Sequence, residues 1–244
     1  MRSFFAIWGR ELHSHFVSSV AYVTITIFLV MTGATFLQAV QNKVGSEEPL
    51  LALLFVSICF WMPILVTVVS MRLFAEEKRQ GTLESLMTAP VGEWEVVLGK
   101  YAGALTVVLA AIIPALGIVF VLQAASPALE GVDIGAFVGG CLLLVLLTAL
   151  CTAIGMLTSL FTQNQIVAAM CCFAAVCLPF LGEPVATLLP IVPDELVRYL
   201  SLEQHLATCT QGLVPVQILV LYGSGIIFFV FASVRALEAR HWIG

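Results

Sequence analysis

The chain has 244 residues, of which 61% are hydrophobic and only 10% are charged, whereas about 25% of the residues in a soluble domain are charged. This composition excludes an ordinary soluble domain and favours a protein embedded in a lipid membrane. The net charge of −5 gives no reason to expect nucleic-acid binding, because nucleic-acid-binding surfaces are basic.

Six apolar runs follow one another along the chain, each long enough to cross a bilayer as a helix, which takes roughly 20 residues. The predicted spans are residues 19–40, 50–74, 98–123, 134–160, 166–189 and 214–236. We therefore predict an all-α membrane protein with six transmembrane helices in one domain, residues 19–244.

The positions of the cations predict the orientation of these spans, since Lys and Arg near helix ends stay on the cytoplasmic side. Six crossings place both termini on the same side. With both termini in the cytoplasm, only Lys43 and Arg198 lie outside, and the other cations lie inside. These are Arg2, Arg10, Arg72, Lys78, Arg79, Lys100, Arg235 and Arg240.

Residues 1–18, ahead of the first span, place aromatic and aliphatic residues at roughly helical spacing among charged ones. This pattern is typical of an amphipathic interfacial helix that lies on the membrane, with Trp8 and the arginines at the level of the headgroups. The alternative is a cytoplasmic extension of the first span.

An outer segment, residues 182–213, does not fit a plain bundle. The run from Pro184 to Pro190 is too short to span and too apolar for a solvated loop. We predict a re-entrant hairpin that enters the outer leaflet, breaks at residues 190–194 and returns as a partly polar helix. Non-helical backbone inside the membrane is tolerated only where it is packed against protein or lines a water-filled cavity. The alternative is an ordinary extracytoplasmic loop.

The spans carry no catalytic constellation that we can identify. Ionisable groups inside a membrane are expensive and mark functional sites, but the predicted spans carry charges only near their ends. No HExxH motif, P-loop or intramembrane pair of aspartates is present. His13 and His15 would point to different faces of a helix, so we predict no metal site. We expect this chain to have no catalytic residue and no cofactor.

The cytoplasmic segment 75–97 is the most informative part of the sequence. A helix leaving the membrane after the second span carries Glu76, Glu77 and Arg79 and is predicted to end near Gly81. A second helix is predicted to start with Thr82 as its N-cap and to end at residue 90. Its apolar face consists of Leu83, Leu86 and Met87. Such an exposed face indicates a docking element for a partner; the alternative is an amphipathic helix resting on the bilayer.

This segment resembles the type-2 ATP-binding cassette permeases. The likeness lies in EEKRQGTLESL at 76–86, TAP at 88–90 and VLGKY at 97–101. Hydropathy and topology agree with that family over essentially the whole chain. LSLEQH at 200–205, together with Gly212 and the end of the last span at 237–238, further resembles the subgroup of permeases associated with gliding motility.

The resemblance implies a permease of the bacterial cytoplasmic (inner) membrane that transmits ATP hydrolysis into export or mechanical signalling. ATP and Mg would be bound by separate ATPase subunits. A second permease chain, either a copy or a related protein, and an extracytoplasmic accessory protein are further implied partners. The alternative function is a non-transporting membrane anchor or scaffold for a soluble or motility-related complex.

The same resemblance assigns two groups of site residues. Residues 82–89 would be the coupling helix that contacts the ATPase. The implied coupling interface consists of Glu76, Glu77, Arg79, Gly81, Thr82, Leu83, Glu84, Leu86 and Met87. The implied extracytoplasmic gate consists of Pro184, Leu188, Pro190 and Pro193.

Overall fold

In a computed structural model, residues 2–42, 49–82, 92–125, 133–177, 180 and 201–241 are described. All regular secondary structure in these ranges is helical, which confirms the predicted all-α fold. The helices are α1 (Arg2–Val17), α2 (Ser19–Asn42), α3 (Leu50–Ser70), α4 (Ala75–Gln80), α5 (Glu93–Ala125), α6 (Ile134–Phe161), α7 (Gln165–Cys177), α8 (Leu202–Cys209) and α9 (Val216–His241).

Five stretches of the described chain are apolar and, apart from a turn at residues 71–74 in the second, helical over a length sufficient to cross a membrane. They are Ser19–Asn42, Leu50–Gln80, Glu93–Val121, Ile134–Phe161 and Val216–Ala239. The helix α7 is apolar too and has 13 residues. Residues 178–179 and 181–189 of the predicted fifth span lie outside the described ranges. The count of six spans therefore stays a prediction.

The centre of the bundle is α3, which packs against α2, α5, α6, α7 and α8. Two thirds of the most apolar 18-residue stretch in the span that contains α3 is buried. In the spans formed by α2 and α9, the corresponding share is 22%. Lipid gives helices no hydrophobic reason to associate, so small residues that allow close packing matter more. Gly140 of α6 is one: a Cβ there would overlap the ring of Phe55 in α3.

The N-terminal helix is separated from the first span. The helix α1 ends at Val17, Ser18 joins it to α2, and α1 packs mainly against α5. This arrangement favours a distinct N-terminal helix over a straight extension of the first span.

The second predicted span differs from the expectation of one helix running out of the membrane. The helix α3 ends at Ser70, residues 71–74 form an irregular turn, and α4 follows. As the sequence predicts, α4 ends at Gly81, whose φ of 70° lies in the left-handed region that glycine adopts at helix C-termini.

At the opposite end of the bundle, α6 begins after Asp133, whose side chain accepts a hydrogen bond from the backbone N–H of Gly135. The short helix α8 packs on α6 here, and the carbonyl of Cys209 lies where a Cβ of Gly139 would be. The predicted hairpin 182–213 is described only from residue 201 onwards. Within it α8 is helical, but the gate residues Pro184, Leu188, Pro190 and Pro193 lie outside the described residues, so the hairpin and the gate stay predictions.

Candidate coupling site

The irregular turn at residues 71–74 interrupts the backbone hydrogen bonds between α3 and α4, and Ser159 of α6 replaces several of them. Its hydroxyl oxygen accepts from the backbone N–H groups of Phe74 and Ala75, both at 3.1 Å. The same hydroxyl donates to the carbonyl of Met71 at 3.2 Å. A break in a buried helix is tolerable when neighbouring side chains satisfy the freed backbone groups.

Lys100 of α5 lies beside this turn and is almost completely buried, with 1% of its side chain exposed. Its ammonium nitrogen Nζ donates to Oε1 of Glu11 at 2.6 Å and to the carbonyl of Leu73 at 2.9 Å. It also lies 2.9 Å from Oε1 of Glu77. A lysine ammonium has three donors, so each donor has an acceptor. The ring of Phe74 covers the charge, with its centroid 5.2 Å from Nζ.

The two carboxylates come from different parts of the chain, Glu11 from α1 and Glu77 from α4. One ammonium therefore joins three helices and the turn. We call this group the junction: Glu11, Glu77, Lys100, Ser159 and residues 71–74. Arg10, which is mostly exposed, adds a longer contact of 3.6 Å to Oε1 of Glu77. The second oxygen of Glu77, Oε2, is buried and has no hydrogen-bond partner among the described residues.

Two glycines of α5 bring α1 close enough for Glu11 to reach Lys100. A Cβ at Gly103 would lie 2.7 Å from Cβ of Glu11, and one at Gly99 would lie 2.8 Å from Cγ2 of Ile7. These glycines are four residues apart and so lie on one face of the helix. Trp8 adds a hydrogen bond of 3.3 Å to Thr106 of α5.

A further set of polar contacts extends from the junction to the start of α2. Arg72, in the irregular turn, donates from Nε to Oε2 of Glu76 at 3.0 Å and from Nη1 to the hydroxyl of Ser18 at 2.7 Å. His15 of α1 is buried nearby. Burial lowers the pKa of its imidazole, and the charges of Arg72 and Lys100 act in the same direction against the opposing effect of Glu11.

The helix α4 is also tied to the end of α6. The ammonium of Lys78 donates to the carbonyl of Leu160, one of the terminal carbonyls that an α-helix cannot satisfy internally. A cation is favourable there because the C-terminal end of a helix carries a partial negative charge. Together, Ser159 and Leu160 connect α6 to both the irregular turn and α4.

The structure places the predicted coupling residues in different environments. Glu77 is largely buried in the junction, Glu76 is half-buried beside Arg72, and Arg79 is exposed. The hydroxyl of Thr82 donates to the carbonyl of Glu77 at 3.3 Å. Leu83, Glu84, Leu86 and Met87 lie outside the described residues, so the predicted coupling helix and its N-cap stay predictions.

Sequence reasoning missed Glu11, Lys100 and Ser159 as site residues. Lys100 was assigned to the cytoplasmic end of a span, yet it lies two residues inside the apolar run that starts at residue 98. A charge in such a run needs a partner, and the glycines at 99 and 103 mark a close helix contact. No local signal identifies Glu11 as that partner.

The charged groups of the junction are paired with one another. In the part of the chain that the structure describes, no group of three or more His, Cys, Asp or Glu side chains could hold a metal ion.

The sequence model of one family, described as ABC-2 family transporter protein, matches residues 6–238. The comparison with curated proteins gave no significant match.

Proposed function

Since the chain belongs to the ABC-2 family of transporter proteins, and is thus a membrane subunit of an ABC transporter, we propose that a separate ATPase docks on residues 82–89 and moves the helices through the junction. ATP and Mg are bound by that ATPase. The movement drives export or a mechanical signal across the bacterial inner membrane.

The observation that carries this proposal is the attachment of α4 on three sides. Lys100 ties Glu77 of α4 to Glu11 of α1, and Ser159 ties the preceding turn to α6. A displacement of the chain at Gly81, where α4 ends, would therefore act on α1, α5 and α6 together. Well-packed elements transmit such displacements because they switch between discrete arrangements instead of deforming continuously.

A second permease chain completes the proposed assembly. The helices α2 and α9 leave most of their apolar surface uncovered within one chain, because only 22% of the most apolar 18-residue stretch of each is buried. Lipid covers part of this surface, and a copy of the chain or a related permease covers the rest. An extracytoplasmic accessory protein is a further proposed partner.

The test of docking is the variant Leu83→Asp in the complex with the partner ATPase, reconstituted in liposomes. A charge placed in an apolar docking face is expected to weaken ATPase binding about 30-fold, the size of a hot-spot loss of ~2 kcal/mol. ATPase stimulation by the membrane subunit falls accordingly. Leu213→Asp is the matched control, since Leu213 is 63% exposed and follows α8.

Two outcomes would contradict the proposal. Unchanged binding and stimulation in Leu83→Asp would show that residues 82–89 do not hold the ATPase. An ATPase that binds the native chain but hydrolyses ATP at the same rate without it would favour the scaffold function instead.

A further inference from the structure

The sequence of the irregular turn gives no local reason for a helix to break. Residues 71–74 are Met, Arg, Leu and Phe, and residues 64–80 contain neither Gly nor Pro. Met, Arg and Leu favour helices, and Phe is tolerated in them. Helices usually break at Gly or Pro, or where a side chain inserts between their backbone groups. The break between α3 and α4 is therefore imposed by neighbouring helices.

Ser159 of α6 is the side chain that inserts. In a continuous helix, the N–H of Ala75 would donate to the carbonyl of Met71, four residues earlier. The hydroxyl of Ser159 bonds to both of these groups, accepting from Ala75 at 3.1 Å and donating to Met71 at 3.2 Å. It also accepts at 3.1 Å from the N–H of Phe74, which in a helix would donate to the carbonyl of Ser70. One hydroxyl thus stands in for two helical hydrogen bonds.

The backbone of the turn stays close to helical geometry. Met71 has φ −57° and ψ −25°, near the helical values of about −63° and −42°. The N–H of Leu73 donates to the carbonyl of Ser70, three residues earlier, at 3.2 Å, which is the spacing of a 3₁₀ turn. Phe74 has ψ −31° but φ −124°, so its φ must change for the helix to continue.

The turn has unsatisfied polar atoms on both sides. Among the described residues, Oγ of Ser70 and Oε2 of Glu77 are buried and have no hydrogen-bond partner. Such atoms are rare in native structures, and each calls for an explanation. Leaving a buried acceptor unpaired costs free energy, so an arrangement that paired these two atoms would gain stability relative to the present one.

We propose that residues 71–74 switch between this bent turn and a continuous helix that joins α3 to α4, and that the hydroxyl of Ser159 holds the bent state. In the straight state, the N–H groups of Phe74 and Ala75 donate within the helix. The hydroxyl of Ser159 then donates to a carbonyl of its own helix, as that of Ser233 does in α9.

The role of this switch in coupling rests on the proposed function. The helix α4 leads from the turn to residues 82–89, where the ATPase is proposed to dock. Straightening of the turn shifts Glu77 relative to Lys100 and so passes a movement of residues 82–89 to α1 and α5. Packed elements with two discrete arrangements transmit such movements.

The experiment measures hydrogen–deuterium exchange at the backbone amides of Phe74 and Ala75, in the full chain in lipid nanodiscs and without an ATPase. In Ser159→Ala both amides lose their acceptor. If the helix forms, they find acceptors within it and should exchange more slowly than in the native chain. Ser233→Ala is the matched control, since Ser233 is as buried as Ser159 but bonds within its own helix, and it should leave this exchange unchanged.

A second pair of variants changes the helix preference of the turn and keeps Ser159 in place. Phe74→Ala and Phe74→Gly both remove the ring that covers Lys100, but alanine is favoured over glycine in a helix interior. The ratio of straight to bent chains should differ between them about fivefold, equal to ~1 kcal/mol. Exchange at Ala75, corrected for intrinsic rates, should be slower in Phe74→Ala by a similar factor.

Unchanged or faster exchange in Ser159→Ala would overturn the proposal, because the two amides would then have lost one acceptor without gaining another. Equal exchange at Ala75 in Phe74→Ala and Phe74→Gly would also overturn it. Slower exchange in Ser159→Ala would support the switch even if Leu83→Asp left ATPase binding unchanged, since this experiment contains no ATPase.

Discussion

Lys100 is the residue whose surroundings differ most from what its sequence position suggests. A buried charge costs several kcal/mol in desolvation, and only good pairing offsets that cost. Lys100 meets this condition with two carboxylates and a backbone carbonyl. Removing it would leave Glu11 and Glu77 facing each other in a buried place with no countercharge between them.

We expect Lys100→Met to lower the free energy of unfolding by ~3–5 kcal/mol, the usual cost of removing one partner from a buried ion pair. Arg235→Met is the matched control, because Arg235 pairs with Glu238 while 65% exposed, and exposed pairs contribute ~1 kcal/mol or less. Thermal unfolding in detergent measures both.

The triple variant Glu11→Gln, Glu77→Gln, Lys100→Met separates lost pairing from lost packing. It removes the uncompensated carboxylates and should regain a large part of the stability lost in Lys100→Met. Equal losses in Lys100→Met and Arg235→Met would show that the junction is not a tightly coupled ion cluster.

At the scale of elements, the contact of α1 with α5 depends on two glycines. Gly99 and Gly103 are adjacent to Ile7 and Glu11 of α1, so the backbones approach closely around Lys100. A larger residue at either position would push α1 away and lengthen the Glu11–Lys100 contact. Close packing on these glycines therefore holds α1 against α5, in addition to the ion pair between Glu11 and Lys100.

Gly103→Ala should destabilise the protein by ~1–3 kcal/mol through overpacking, although alanine by itself favours helix by about 1 kcal/mol over glycine. Gly117→Ala in the same helix is the control. Its added Cβ would meet nothing within 4 Å, so this variant should be neutral or more stable. Thermal unfolding compares the two, and a stabilised Gly103→Ala would refute the close approach of α1.

The helix α6 connects the two ends of the bundle. Ser159 and Leu160 attach its last turn to the irregular turn and α4. Gly139 near its start receives the carbonyl of Cys209 from α8. Its 28 residues extend about 42 Å at 1.5 Å per residue, the scale of a membrane. The structure thus links α4 to α8 through one rigid element.

At the scale of the whole molecule, cations that are distant in sequence gather at one end. Arg10, Arg72, Lys78 and Lys100 lie around the junction. The end of α9 comes close to the start of α5, since the rings of Trp94 and Phe231 are 6.1 Å apart. Arg235, whose guanidinium lies over Phe231, therefore belongs to the same end. This grouping supports an orientation with that end in the cytoplasm.

Reporter fusions test the orientation and the number of spans together. With six spans and both termini inside, green fluorescent protein fused after residue 244 should fluoresce, whereas alkaline phosphatase at the same position should be inactive. Phosphatase inserted after residue 130, in the predicted second outer loop, should be active. An active phosphatase at the C-terminus would contradict either the count of six or the assigned side.

The amino-acid sequence was sufficient for the features that depend on neighbouring residues and on lipid as the solvent. Long apolar runs must become helices because lipid cannot satisfy open backbone groups. The end of α4 at Gly81 and the start of α6 after Asp133 follow from local capping chemistry.

The packed structure was needed for contacts between distant parts of the chain. Glu11 and Lys100 are 89 residues apart in sequence, and Ser159 reaches a turn 85 residues earlier. Hydropathy averages over a window, so it could not show a break at residues 71–74 within one apolar run. That break is stable only because α5 and α6 supply the hydrogen bonds that the interrupted helix has lost.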